Sequence, residues 1–211
     1  MPELTINGRA VHARARATVL EAARAVGIEI PTLCHFAGLS PAGSCRLCLV
    51  EVAGMRDPVA SCTLPAAAGM DVRTESPALG ALRQFVLEML WRRAPDAAGP
   101  GTEFARWAAE YGARAPAPGG RRFVVDRPGE AFVRVDGNRC ILCTRCVRSC
   151  AELEGRSVWG VAWRGDRARI VAGMGRSTTE ARCGACRRCV DACPTGAMGI
   201  GGGLFSPPEK G

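Results

Sequence analysis

Histidine is scarce in this 211-residue chain, with two copies, and aromatic residues make up 5 % of it, with a single Tyr. So few aromatics exclude a large aromatic core. No Ser/His/Asp set and no carboxylate pair stands out as a catalytic site. No apolar run approaches bilayer-spanning length. Met1 to Thr5 show no basic stretch leading into an apolar one, as a secretory leader would, so a cytoplasmic chain with reduced thiols is expected. Gly199 to Gly203 is not a G-x-G-x-x-G loop, because Leu204 breaks it, and it reads as a flexible tail. The formal charge of +8 lacks a basic block interleaved with aromatics, so nucleic-acid binding is not indicated. Nothing resembling a flavin, nucleotide or molybdopterin segment is present.

What the chain has is cysteine, twelve in all. One pattern occurs twice: Cys140, Cys143, Cys146, Cys150, then Cys183, Cys186, Cys189, Cys193, with Pro194 closing the second copy. This C-x2-C-x2-C-x3-C(-P) run resembles the bacterial ferredoxin signature, in which three cysteines hold one [4Fe–4S] cube and the fourth crosses to the other. That rule assigns Cys140, Cys143, Cys146 and Cys193 to one cube, and Cys183, Cys186, Cys189 and Cys150 to the second. Zinc is the weaker reading, since paired ligands would leave a third close cysteine surplus. Disulfides need an oxidising compartment. Three clusters at about −2 each would bring the net charge to about +2.

The first eighty residues read as a small strand-rich unit. Residues 3–6 and 9–13 alternate around Asn7-Gly8, the strongest short hairpin signal. Thr18 and Glu21 form a capping box ahead of a helix over 19–26, with Gly27 suited to its end. Cys34, Cys45, Cys48 and Cys62 follow, with strands expected at 47–52 and near 59–61. Hairpin, helix and further strands around four cysteines describe a β-grasp [2Fe–2S] domain. The spacing C-x10-C-x2-C-x13-C differs from the plant-type run. With Ile30-Pro31-Thr32-Leu33-Cys34 and Ser40-Pro41-Ala42-Gly43-Ser44-Cys45-Arg46-Leu47-Cys48, it resembles the N-terminal part of the large iron–sulfur subunit of respiratory complex I. Relatives in that resemblance are the diaphorase iron–sulfur subunit of NAD-reducing hydrogenases, iron-only hydrogenases and NAD-linked formate dehydrogenases. Gly43 would let the backbone approach a cluster. His35 adjoins Cys34, but four cysteines already complete that set; His12 reads as a surface strand residue.

Ser76-Pro77 starts a helix over 77–93, with Leu79, Leu82, Phe85, Val86, Met89 and Leu90 at helical spacing and expected to face one of the domains. In the resembled family such a helix leads into a His-x3-Cys-x2-Cys-x5-Cys segment that holds another [4Fe–4S] cluster. Here no Cys or His lies between Cys62 and Cys140, a short loop over 94–102 replaces the segment, and Thr102 stands where its last cysteine would fall. The helix beyond it survives at 103–112. Lost cluster and plain Pro/Gly linker both account for the loop, and matching helices on either side favour loss.

Residues 115–120 read as a linker, with strands expected at 122–126 and 132–136 and a hairpin at 158–163 and 168–171; Trp159 and Trp163 read as packing residues rather than electron relays. The expected architecture is α+β: a β-grasp [2Fe–2S] domain (1–76), a helical connector with a lost cluster loop (77–115) and a two-cluster ferredoxin-like domain (116–211). Expected cofactors are one [2Fe–2S] and two [4Fe–4S] clusters. The resemblance implies a non-catalytic subunit of a hetero-oligomer, passing single electrons between a flavin subunit that handles NAD(P)H and a hydrogenase- or formate-dehydrogenase-type catalytic subunit. A free ferredoxin-like carrier and a fragment of a longer dehydrogenase are the alternatives. A carrier usually shows an acidic docking face, whereas this chain has 28 Lys+Arg against 20 Asp+Glu.

Overall fold

The computed structural model describes residues 1–118, 123, 132–173 and 183–200. The expected strand at 122–126 (Phe123 apart) and the chain beyond residue 200 lie outside those residues. Strands β1 (Glu3–Ile6) and β2 (Arg9–His12) pair antiparallel across Asn7 and Gly8. Both turn residues have positive φ, 52° and 77°, which a two-residue hairpin requires and these residue types tolerate. Helix α1 (Val19–Ala25) starts at the expected capping box: Thr18 Oγ1 accepts the Glu21 N–H, and the Glu21 carboxylate accepts the Thr18 N–H at 2.7 Å.

Strands β3 (Leu49–Val52), β4 (Val59–Ala60) and β5 (Asp71–Arg73) complete a mixed sheet in the order β2-β1-β5-β3-β4. Only the β1–β5 pair is parallel. Alternation turns Leu4 and Ile6 of β1 inward, where they meet Val19, Leu20 and Ala23 of α1 and Val50 and Val72 of the sheet. Each of these fully buried Val, Leu or Ile side chains contributes about 1.5–3 kcal/mol.

Helix α2 (Pro77–Arg93) is capped by Ser76, whose Oγ accepts the Leu79 N–H at 3.1 Å. Its buried row is Leu79, Arg83 and Leu87, four residues apart. Phe85 and Met89, expected to face a domain, are 60 % and 48 % exposed. Apolar residues occupy more than one face of α2, so periodicity did not single out the buried side. Arg83 sits in that row because its guanidinium has partners: Glu75 Oε1 at 2.6 Å, Tyr111 Oη at 3.0 Å, and the carbonyls of Leu49 at 2.9 Å and Thr74 at 2.7 Å. Helix α3 (Glu103–Glu110) follows, capped by Thr102, which accepts the Ala105 N–H at 3.1 Å.

Beyond the connector come β6 (Val133–Val135), α4 (Arg145–Arg148) running into a π-helical turn (Ser149–Leu153), the hairpin β7 (Trp159–Ala162) and β8 (Arg169–Ala172), α5 (Arg188–Asp191) and β9 (Met198–Ile200). β6 pairs antiparallel with β9. The glycine-rich tail therefore begins as a strand, because Gly199 takes the register position opposite Arg134. A middle apolar cluster joins the two halves: Leu33, Cys34, Cys45 and Leu47 from the first, Leu87, Ala94, Ala97, Phe104, Trp107 and Ala108 from the connector, and Ile141 and Cys143 from the second. Among the described residues no helix is long and apolar enough to cross a membrane.

Candidate metal centres

Cys34, Cys45, Cys48 and Cys62 are all buried and lie close together. The Cys34 sulfur accepts the Cys45 N–H at 3.5 Å. Bonds from the Cys45 and Cys62 thiols draw the Cys34 thiol far below the usual thiol range, and a bond from Cys62 brings Cys48 down to about 6. The same bonds, with burial, push Cys45 and Cys62 upward. Cys34 and Cys48 therefore carry charge readily while the other two keep protons, a set that a cation would deprotonate outright. Gly43 has φ +61°, and a Cβ there would lie 3.1 Å from Thr63 Cγ2, so the loop takes glycine on both counts. His35 points elsewhere: its Nδ1 is 3.0 Å from Arg24 Nη1. His12 is exposed on β2.

The two later runs repeat one backbone device. Leu142 and Thr144 in the first, Ala185 and Arg187 in the second, occupy matching places between cysteines and all have positive φ, from 54° to 64°. Four non-glycine residues in the left-handed region at matched positions represent strain held for a purpose, since such turns aim successive N–H groups into a concavity. The backbone N–H groups of Leu142 and Arg145 oppose the rise that burial gives the Cys140 and Cys143 thiols. Ala197 N–H donates to Cys193 Sγ at 3.2 Å, and Val158 N–H to Cys150 Sγ at 3.4 Å.

Around these turns lie two cavities. Cys140, Cys143, Cys146 and Cys193 line one, walled by Ile141, Ile170 and Met198. Cys150, Cys183, Cys186 and Cys189 line the other, with Val158 and Trp159. Each cavity thus draws three cysteines from one run and one from the other. Burial pushes Cys140 up to about 11 and Cys143 and Cys189 up to about 12, so these thiols hold their protons at neutral pH until a metal displaces them. An indole bond from Trp159 opposes that rise at Cys189. Trp159 is buried against the cavity, as a packing residue would be, but Trp163 is 54 % exposed beneath the Arg169 guanidinium, 4.1 Å from its ring centre. Among the described residues no group of three or more His, Cys, Asp or Glu closes on a single-ion site. Four thiols in each cavity, with apolar side chains beside them and N–H groups aimed at sulfur, suit a sulfide-bridged iron cluster.

Two arginines beside Cys146, not singled out by the motif, organise the surroundings. Arg145, 2 % exposed, forms a fork with Glu103 of α3 at 2.6 and 3.0 Å, donates to the Ala192 carbonyl at 3.3 Å and lies 5.5 Å from the Phe36 ring centre. Arg148 reaches the first half, donating to the carbonyls of Cys34 and Ser40. Their signal in the sequence was the pattern Arg-Cys-Val-Arg, in which a positive charge flanks a cysteine on each side. At the expected site of the lost cluster, Ala94 and Ala97 are fully buried and Thr102 Oγ1 bonds the Gly99 carbonyl at 2.8 Å. The loop is closed on itself and tied to the first cysteine run through Asp96 N–H to the Asn138 carbonyl at 2.9 Å, while the start of α3 ties to the second through Phe104 N–H to the Pro194 carbonyl at 3.1 Å.

Residues 2–77 match a 2Fe-2S iron-sulfur cluster binding domain, and residues 130–199 match the ferredoxin-like domain of NADH-quinone oxidoreductase subunit 3. Fold and thiol sets together define a mixed α/β iron–sulfur protein. The chain is 34 % identical to the mitochondrial NADH-ubiquinone oxidoreductase 78 kDa subunit of Neurospora crassa, over 93 % of this chain and 27 % of that one. It is 32 % identical to NADP-reducing hydrogenase subunit HndD of Solidesulfovibrio fructosivorans, over 94 % of this chain and 36 % of that one. A chain in the crystal structure of an NAD+-reducing [NiFe]-hydrogenase in the H2-reduced state superposes with a TM-score of 0.80 at 32 % identity, covering 98 % of this chain and 90 % of that one. This chain belongs to the family of iron–sulfur subunits of NAD(P)H-linked oxidoreductases that includes the complex I large iron–sulfur subunit and subunits of NAD-reducing hydrogenases. It spans about a quarter to a third of the length of the two full-length relatives, from Neurospora and Solidesulfovibrio.

Proposed function

We propose that this chain is a non-catalytic subunit that relays single electrons between a flavin subunit handling NAD(P)H and a catalytic redox subunit of hydrogenase or formate dehydrogenase type, in a cytoplasmic hetero-oligomer. The observation that carries the reading is the placement of three all-cysteine sets in one continuous body, with Cys34, Cys45 and Cys143 sharing a single apolar cluster. On this reading residues 1–76 form a β-grasp domain in which Cys34, Cys45, Cys48 and Cys62 hold a [2Fe–2S] cluster. Residues 77–115 are the connector. In the ferredoxin-like part, 116–211, Cys140, Cys143, Cys146 and Cys193 hold one [4Fe–4S] cube, and Cys183, Cys186, Cys189 and Cys150 the other.

When bound, the clusters would supply one-electron redox chemistry; the chain's share is to hold them, exclude water and donate N–H groups to their sulfurs. The closed 94–102 loop offers no thiolate or imidazole, so transfer from the first set to the next relies on the packing of the two halves rather than on a further cluster in this chain. Protein purified anaerobically from its native cell should carry about ten iron atoms with matching acid-labile sulfide. It should co-purify with a flavoprotein and a nickel or molybdenum subunit. Stoichiometric zinc without sulfide would defeat the reading; isolation as a lone iron–sulfur monomer would favour a free carrier.

A further inference from the structure

The Arg148 guanidinium lies between the loops of two different cysteine sets. Its Nη2 donates to the Cys34 carbonyl at 2.5 Å and to the Cys143 carbonyl at 3.3 Å. Nη1 donates to the Ser40 carbonyl at 2.5 Å, and Nε to Thr144 Oγ1 at 3.4 Å. Four of its five donors are thus used on the two loops. One turn further on, Glu152 accepts the Ser40 N–H at 2.7 Å and the Ser40 hydroxyl at 2.6 Å. The helix that carries Cys146 and the π-helical turn that carries Cys150 therefore grip the 34–40 loop from one side. Arg145 also crosses between parts of the chain, but its polar partners are Glu103 and Ala192, neither in the first set. Arg148 alone of the two is bonded to main-chain groups of a cysteine in each of two sets.

We propose that Arg148 is the positioning residue that sets the separation between the Cys34 and Cys143 loops, and with it the rate at which an electron crosses between the centres they hold. This rests on the relay reading given above. The step moves one electron: the centre at Cys34 is oxidised by one unit, the centre at Cys143 is reduced by one, and no bond or proton changes. Two hydrogen bonds and one guanidinium join the carbonyls of the two cysteines, a short route compared with passage through packed side chains. The apolar cluster around Leu87, Phe104, Trp107 and Ile141 would keep the halves together without Arg148, so its removal should loosen the two loops and leave the fold intact. Lysine cannot replace it, because a single ammonium lacks the planar fork that reaches three carbonyls.

The test compares full-length holoprotein with Arg148→Gln and Arg148→Lys, reduced and examined by electron paramagnetic resonance, with iron content and amide exchange over residues 34–45. The expected result is unchanged iron in both variants, with midpoint potentials kept in Arg148→Lys and lowered in Arg148→Gln, which loses a positive charge beside both centres. The magnetic interaction between the first centre and its neighbour should weaken, with slower spin relaxation, and exchange over 34–45 should quicken roughly tenfold. Arg148→Lys should recover only part of both signals. Native coupling and native exchange in Arg148→Gln would overturn the proposal, and so would full recovery by lysine, which would make charge rather than the fork the operative feature. If the wild type carried no iron, the relay reading would fall, while amide exchange in the same chains would still decide whether Arg148 holds the loops.

Discussion

Arg83→Met tests whether the buried guanidinium of α2 is what fastens the connector to the N-terminal sheet. Methionine keeps most of the volume and removes every donor. The carbonyls of Leu49 and Thr74 lose charged partners at 2.9 and 2.7 Å. Hydrogen bonds to charged groups are worth about 1.5–3 kcal/mol each, so the gross loss is about 3–6 kcal/mol. Two effects offset it. Arg83 Nε is buried without a hydrogen-bond partner, a cost of about 1–3 kcal/mol that methionine removes. The ion pair itself adds little, because the Glu75 side chain is 57 % exposed and is rehydrated when its partner leaves. The net expectation is a loss of about 2–3 kcal/mol, and more for Arg83→Ala, which adds a cavity. Amide exchange in the iron-loaded protein avoids the irreversible cluster loss that would spoil an unfolding curve. Protection over 49–52 and at Thr74 should fall by roughly thirty- to a hundredfold in Arg83→Met, which is 2–3 kcal/mol at 1.4 kcal/mol per tenfold. A change below threefold would show that those carbonyls do not depend on the guanidinium and would refute the reasoning.

Cys150→Ser should cost about four of about ten iron atoms and abolish the signal of the centre held by Cys183, Cys186 and Cys189, while Cys193→Ser should cost the other cube; iron analysis with paramagnetic resonance separates the two, and a reversed pattern would refute the crossover. Glu152 provides a pH test. Bonds from the Ser40 hydroxyl and N–H hold its carboxyl below the usual glutamate range. A carboxyl lowered on folding contributes fully above its unfolded value of about 4.3 and loses that contribution as pH falls through the lower folded value. Docking of the Ser40 loop, followed by exchange of its amide corrected for intrinsic rates, should therefore weaken on acidification below about pH 4, and Glu152→Gln should abolish the dependence.

Local chemistry was legible in the chain, whereas the joins between its parts were not. Asn7-Gly8, the Thr18/Glu21 box, the Ser76 cap and the cysteine runs act over a few residues, so their spacing alone announces them. The grouping of Cys193 with the first run and Cys150 with the second is what the ferredoxin resemblance implies, and the two cavities contain those combinations. Arg83, Arg145 and Arg148 were not legible as connectors, because a buried arginine is explained by carbonyls and carboxylates 34, 42 and 114 positions away. Periodicity likewise could not say which apolar row of α2 faces inward, nor that Met198 to Ile200 would find a partner in β6. Trp163 reads like its neighbour Trp159, and strand alternation alone would put both on one face, yet Trp163 lies just past the end of β7 with a φ of 63° and is exposed while Trp159 is buried.

The cluster shared by Leu33, Cys34, Leu47, Phe104, Trp107 and Ile141 also bears on how the chain is made. During synthesis Cys62 is added long before Cys143, and at about 5–20 residues per second the interval is roughly 4–16 s. Through that interval the N-terminal sheet can fold while the side of its cysteine loop that Ile141 later covers stays open to solvent. If Cys34 and Cys45 hold iron, a donor would have ready access to them early, and once the later loop closes over them delivery would require the halves to part. On the proposed relay reading, maturation of the first centre would be best timed to translation, ahead of the two that follow.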